Sequence, residues 1–163
     1  MLAFETIVMR YKGLVAKVAI PMVGNKYDAD DIGQETFIRF YKSMKQFKGD
    51  SQLGTYLARI AINLSLNEIK KRSNHRMLST NDAKNSEIPL TNTEKSIDNT
   101  ELVNNALGAL DVKYRSIIIL RHIQGFSTKE TANILELPLG TVLSRLSRGQ
   151  EKLKKIITKL EKI

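Results

Sequence analysis

The sequence predicts an all-α fold: two small helical domains joined by a flexible linker, the C-terminal one a helix-turn-helix. Three observations carry that expectation. Apolar residues recur at i, i+3, i+4 and i+7 through residues 1–72 and again through 101–163, and no β-strand alternation competes with them. Between these segments, residues 73–100 hold 13 Ser, Thr or Asn among 28 positions, with Pro89 inside. Such a stretch has too little apolar area to fold alone and reads as a linker. Finally, Ser127 to Gly149 has the outline of a capped helix, a short turn and a second helix.

The elements follow in order. Phe4, Ile7, Val8, Tyr11, Leu14, Val15 and Val18 trace one face of a first helix, which Gly24-Asn25 interrupts. A second helix is expected to start in Asp28-Ala-Asp-Asp31, where acids suit a positive helix N-terminus. Its apolar face would be Ile32, Phe37, Phe40, Tyr41 and Met44. After a loop at Lys48-Gly49-Asp50-Ser51, Leu53, Tyr56, Leu57, Ile60, Ala61 and Leu64 mark a third helix. It is expected to run to about Arg72, some 30 Å at ~1.5 Å per residue. In the last segment, Val103, Ala106, Leu107 and Leu110 give a short helix, and Tyr114–Ile123 another, stopped by Gly125. Ser127-Thr-Lys-Glu130 is a capping box, in which the serine hydroxyl and the glutamate carboxylate each satisfy a backbone N–H. That helix, with Ala132, Ile134 and Leu135 inward, reaches Leu137-Pro138. A final helix starts near Pro138 and carries Val142, Leu146, Leu153, Ile157 and Leu160 on one side.

Charge narrows the function classes. Across 163 residues there are 26 Lys and Arg against 17 Asp and Glu, a formal net charge of +9. The excess is +5 on residues 1–72, −1 on the linker and +5 on residues 101–163. Two basic modules on a near-neutral tether suit two contacts along one polyanion. With no cysteine there is no disulfide framework, thiolate metal site or cysteine nucleophile. Glu5, Arg10, Lys12 and Lys17 break the N-terminal apolar stretch, so neither a signal peptide nor membrane insertion is expected, and the chain reads as cytoplasmic. An enzyme is not expected either. Asp28, Asp30, Asp31 and Glu35 can be imagined as a metal cluster, but neither His75 nor His122 stands in a metalloprotease-like spacing, and no glycine-rich phosphate loop occurs. No metal and no cofactor is predicted.

The Ser127–Gly149 pattern points to DNA. If Val142 and Leu146 face the core, then Thr141, Ser144, Arg145 and Arg148 project outward on the second helix of the pair, the one that enters a major groove. Arginine can bond a guanine edge bidentately. Here a resemblance becomes specific. The run LDVKYRSIIILRHIQGFSTKETANILELPLGTVLSRLSRGQEKL (Leu110–Leu153) resembles the C-terminal promoter-binding domain of sigma factors. DADDIGQETFIRFYKSMKQFKGDSQLGTYLARIAINLSLNEIKKR (Asp28–Arg72) is similar to their conserved region 2. Order, linker and short length resemble the extracytoplasmic-function (ECF) group of the sigma-70 family.

The resemblance implies a role for each matched residue. Asp31, Gln34, Glu35 and Phe37 fall in D-x-x-Q-E-x-F, the surface by which the family grips core RNA polymerase. Asn63, Asn67, Lys70 and Lys71 match the helix that contacts the −10 element. The loop from Lys48 through Ser51 to Leu53 lies where the family captures a base extruded from that element. Thr141, Ser144, Arg145 and Arg148 would read the −35 element. The implied partners are core RNA polymerase, promoter DNA and an anti-sigma factor. Several positions depart from the family's pattern. Tyr56 stands where relatives often have tryptophan, and should pack similarly with some loss of area. Lys70-Lys71 replaces paired arginines, keeping charge but losing the planar fork. Leu143 takes a position that is often arginine, and Arg148-Gly149-Gln150 replaces Arg-Ala-Arg. The family's two promoter elements lie about 17 base pairs apart, roughly 58 Å. The 28-residue linker reaches about 90 Å when extended but about 30 Å as a free coil. Other domain arrangements are therefore expected in the free protein. The alternative is a stand-alone helix-turn-helix regulator that binds duplex DNA without polymerase; an Asp/Gln/Glu helix beside an Asn/Lys helix argues against it.

Overall fold

The computed structural model describes residues 2–79 and 99–162. The central part of the expected linker, residues 80–98, lies outside the described residues. Among those described, every regular element is helical. In chain order these are α1 (Leu2–Val23), α2 (Lys26–Ser43) with a 3₁₀ turn at Met44–Gln46, α3 (Leu53–Ser79), α4 (Asn99–Ala109), α5 (Val112–Ile118) continuing into a π turn at Ile119–Ile123, α6 (Thr128–Leu135) and α7 (Leu139–Glu161).

Helices α1, α2 and α3 form the first bundle. Val15, Val18, Ala19 and Met22 from α1 meet Ile32, Phe37 and Phe40 from α2 and Leu57, Ala58, Ala61 and Ile62 from α3. α1 follows the expected stripe, with Phe4, Ile7, Val8, Tyr11 and Leu14 half-buried against that core. It ends at Gly24, whose φ of 82° suits a residue without Cβ. α2 begins two residues earlier than expected, because Asn25 caps it: its Oδ1 accepts from the Asp28 N–H at 2.8 Å. Its inward face is Ala29, Ile32, Thr36, Phe37 and Phe40. Tyr41 and Met44 depart from expectation. They lie at the edge of that arc and are 53% and 38% exposed, with Phe4 meeting the Tyr41 ring edge-on at 5.0 Å. Tyr56 packs as predicted for an aromatic there. Its ring lies 5.0 Å from Phe47 and 6.1 Å from Phe40, and its hydroxyl gains a 3.0 Å bond to Ser43 Oγ.

α3 is longer than the sequence suggested. It continues from Arg72 to Ser79, so the first seven residues of the expected linker are helical. Those residues are all exposed and, Met77 and Leu78 apart, polar, and their helicity rests on continuation from a packed helix, since propagation costs far less than nucleation.

The second bundle is α4 to α7. Asp111 caps α5, its Oδ1 accepting from the Lys113 N–H at 3.2 Å, so the helix starts two residues before Tyr114. The helix stops where expected, with Gly125 at φ 72°. The capping box at α6 is present in both directions: Glu130 N–H to Ser127 Oγ at 3.0 Å, and Ser127 N–H to Glu130 Oε1 at 3.2 Å. α6 ends at Leu135, before the expected Leu137-Pro138, because Glu136 turns left-handed (φ 54°, ψ 44°) and the Leu137 N–H returns to the Ala132 carbonyl at 3.0 Å. Thr131 and Ile134 are its buried residues; Ala132, expected inward, lines the cleft towards α3 instead. Pro138 is the N-cap of α7, and its carbonyl accepts from Thr141 and Val142, both at 3.1 Å.

The two bundles pack against one another. Arg115 of α5 donates to the Met22 carbonyl at 2.6 Å while its other nitrogen holds the Gly108 and Leu110 carbonyls at 3.0 and 2.9 Å. Burial lowers the affinity of its guanidinium for its proton, and the Asp111 carboxylate opposes that shift. Across the second seam, Arg59 of α3 donates to the Asn133 backbone carbonyl at 2.9 Å and its Oδ1 at 3.2 Å on α6. One apolar cluster runs through both bundles.

Candidate polymerase and promoter interfaces

α2 presents an outward stripe of Asp31, Gln34, Ile38 and Tyr41, all exposed and spaced three or four residues apart. Glu35 lies beside it, half-buried, and accepts from Arg39 Nε at 2.8 Å. Three of the four expected polymerase-facing residues are thus accessible. Phe37 is not. It is 9% exposed and belongs to the bundle core, where the apolar pattern of α2 also puts it, so within D-x-x-Q-E-x-F it is not a surface residue. It serves the stripe from beneath, by fixing the face that α2 turns outward. Ile38 (46% exposed), which no motif singles out, and Tyr41, which the apolar pattern turns inward, are surface residues that the sequence does not announce. The imagined carboxylate cluster is otherwise engaged: Asp28 is committed to Arg72 and Asn25. Among the described residues no group of three or more His, Cys, Asp or Glu could hold a metal ion.

On α3, Asn63, Asn67, Lys70 and Lys71 are all exposed. Their spacing of four, three and one residues puts them on one side, along about 12 Å of helix. A shallow cleft at the lower end is lined by Asn67, Lys70, Lys71, Asn74, His75 and Leu78, which extends that face into the last two turns. Lys70 and Lys71 admit a bland explanation, favourable charge at a helix C-terminus, but that requires α3 to end there, and it runs on to Ser79. Arg72 points the other way. Its Nη1 donates to the Val23 carbonyl at 2.9 Å, Nη2 pairs with Asp28, and Nε lies 3.5 Å from Glu68. This one side chain ties α3 to the end of α1 and the start of α2. The Lys48–Leu53 loop sits at the opposite end of α3; Lys48 is exposed, Ser51 half-buried, and Gly49 takes φ 72° at the turn.

In the helix-turn-helix, Val142 is buried and Leu146 packs against the core, as expected. Ser144 and Arg148 are exposed, Thr141 and Arg145 half-buried, all on the outward side of α7. Ser144 Oγ donates to the Thr141 carbonyl at 3.2 Å. Gly149 explains one departure from the family's pattern. A Cβ there would meet Tyr114 Cβ at 3.1 Å and the Ile118 Cδ1 at 3.2 Å, so α7 and α5 approach too closely for alanine without a shift. Leu143 is 51% exposed at the flank of the same helix. The His122 ring nitrogen is held by the Gln150 amide at 2.6 Å.

Comparison with known proteins agrees with both bundles. Residues 7–75 match the family Sigma-70 region 2, and residues 100–153 match Sigma-70, region 4. The chain is 34% identical to the ECF RNA polymerase sigma factor SigW of Bacillus subtilis, over 94% of this chain and 88% of SigW. It is 33% identical to the ECF RNA polymerase sigma-E factor of Escherichia coli, over 91% and 83%. Among solved structures, the sigma factor RpoE of Bartonella quintana, in complex with the anti-sigma factor NepR, superposes with a TM-score of 0.80 at 22% identity, over 97% of this chain and 98% of RpoE. CnrH, in complex with the cytosolic domain of CnrY, gives 0.69 at 26% identity, over 96% of this chain and 88% of that one. With both conserved regions present, in order and on the helices that carry the exposed acids, amides and bases, this chain belongs to the sigma-70 family, in its ECF group, and is an RNA polymerase sigma factor.

Proposed function

We propose that the two bundles divide promoter recognition. The first grips core RNA polymerase through the Asp31, Gln34 and Glu35 face of α2. It meets the opened −10 strand through Asn63, Asn67, Lys70 and Lys71, with Lys48 and Ser51 in the loop that receives an extruded base. The second reads the −35 duplex through Thr141, Ser144, Arg145 and Arg148. The observation that carries this division is the presence of two separate exposed faces on one three-helix bundle: acids and amide outward on α2, amides and lysines outward on α3. A protein surface suits the first. The second suits single-stranded nucleic acid, whose phosphates and unpaired base edges accept ammonium and amide contacts. The domain limits proposed are 1–72, 73–100 and 101–163, with the helical part of the first extended to Ser79.

Three further assignments accompany this one. The chain supplies no catalytic group; nucleotidyl transfer belongs to polymerase. It works in the cytoplasm, where its polymerase is; no helix among the described residues is long and apolar enough to cross a membrane. An anti-sigma factor is its inhibitory partner, supported by CnrH, which was solved with the cytosolic domain of CnrY.

Two variants assembled with core polymerase test the division. Arg145→Ala should lower selection for the −35 element by about 1–3 kcal/mol, roughly five- to 160-fold, with opening of a preformed complex retained. Asn63→Ala should impair strand opening, read by a fluorescent base in the −10 element, with −35 duplex binding retained. Identical failure of both variants at core binding would overturn the division.

A further inference from the structure

The residues assigned to the −35 element occupy only the first half of α7. The outward face does not stop with them. At 100° per residue, Thr141, Ser144, Arg145, Arg148, Lys152, Lys155, Lys159 and Lys162 fall within an arc of about 100° along about 31 Å of helix. Lys152, Lys155, Lys159 and Lys162 are all exposed. Between Leu139 and Lys162 there are seven Lys and Arg against two Glu. This stretch alone therefore carries the whole +5 of residues 101–163.

Few acids answer that charge. Glu151, at the edge of the arc, lies 3.4 Å from Lys155, a pair about 70% exposed on both sides. Lys152 rests over the Tyr114 ring at 5.8 Å. Lys159 and Lys162 have no acidic partner among the described residues. A helix C-terminus favours cations in its last turn, which accounts for Lys159 and Lys162 but not for Lys152 or Lys155. Like charges repeated along one side repel, and a polyanion removes that cost.

We infer that Lys152, Lys155 and Lys159 form a second DNA contact, to the phosphate backbone of the duplex flanking the −35 element. This rests on the assignment of Arg145 and Arg148 to that element. A straight helix cannot follow a groove about 12 Å wide around the duplex for 31 Å. With its N-terminal half among the base edges, its C-terminal half rises across the groove wall, where the phosphates are. Ammonium groups on mobile stems suit phosphates, whereas the arginines nearer the N-terminus suit base edges. The contact is continuous with the base-reading face, and it lies mostly beyond the region 4 match, which ends at residue 153.

The test uses the full chain assembled with core polymerase and two promoter duplexes, one extending past the −35 element and one trimmed at its edge. The triple variant Lys152→Gln, Lys155→Gln, Lys159→Gln should bind the long duplex more weakly. Its log affinity should fall less steeply with log salt, by about 0.9 per phosphate contact removed and so by about 3 for all three. On the trimmed duplex, variant and parent should differ little. The matching Lys→Arg triple variant keeps charge and should restore the slope, which separates this contact from a folding defect. An unchanged salt slope on the long duplex, or equal weakening on both duplexes, overturns the inference. So does a loss confined to core binding without DNA. Arg145→Ala, measured alongside, fails only if the base-reading assignment itself is wrong, so the two claims fall separately.

Discussion

Lys70, Lys71 and Arg72 follow one another on α3, and the helix turns about 100° between each. That rotation gives them different work. Lys70 and Lys71 stay in solvent on the face proposed to meet the opened strand, while Arg72 turns in to bond the Val23 carbonyl and Asp28. Arg72→Ala should therefore cost about 1–3 kcal/mol of stability in denaturant unfolding, since it leaves a half-buried carboxylate and a carbonyl without their donor. Lys70→Ala or Lys71→Ala should stay within about 0.5 kcal/mol on the same measure and weaken only −10 binding. The sequence shows three adjacent cations, and motif matching groups them; only the packing partner separates them. Phe37 makes the same point from the other side. It belongs to D-x-x-Q-E-x-F, yet its ring fills the core between α1 and α3. A motif records which residues a surface needs, including those beneath it.

Helix boundaries were legible at the α6 capping box and at the stopping glycines, but not at Asn25 and Asp111, whose side chains start α2 and α5 two residues before the apolar pattern does. Ser127 and Glu130 cap α6 as their spacing requires, and Gly24 and Gly125 stop helices with positive φ. Boundaries set by the backbone alone were not legible. Glu136 closes α6 in a left-handed conformation that glycine would take without strain, and nothing in its chemistry announces it. Glu136→Gly should raise stability by about 1 kcal/mol, read as a higher denaturant midpoint with unchanged slope. Gly149 is the reverse case. Alanine is ordinarily better in a helix by about 1 kcal/mol, but here its Cβ would press on Tyr114 and Ile118. Gly149→Ala should therefore fail to stabilise, whereas Gly13→Ala, where no atom lies within 4 Å, should stabilise by that amount. The extra turns of α3 were hidden for a different reason. Residues 73–79 carry linker-like composition, and they are helical because the packed turns before them supply the nucleus.

At the scale of the whole molecule, composition located the charge on two modules but was silent on how they sit together. They pack through Arg115 on the Met22 carbonyl and Arg59 on Asn133, and Arg59 lies one helical turn from Asn63 on α3. On the proposed division the two promoter elements lie about 58 Å apart, and we propose that these two seams part when the chain works inside polymerase. Arg59→Ala should shift the free protein toward extended forms, seen as a larger radius of gyration in solution scattering, while each bundle keeps its helicity. An unchanged radius would mean that the apolar cluster alone holds the seam. The account stands, finally, on what the two bundles do together. The most direct measurement is transcription in vitro with core RNA polymerase and a library of promoter sequences, with and without this chain. The account predicts transcripts that appear only when the chain is added, from templates sharing two elements at a fixed spacing. Contradiction would be transcription indifferent to the chain, or binding to duplex DNA that selects one element equally well without polymerase.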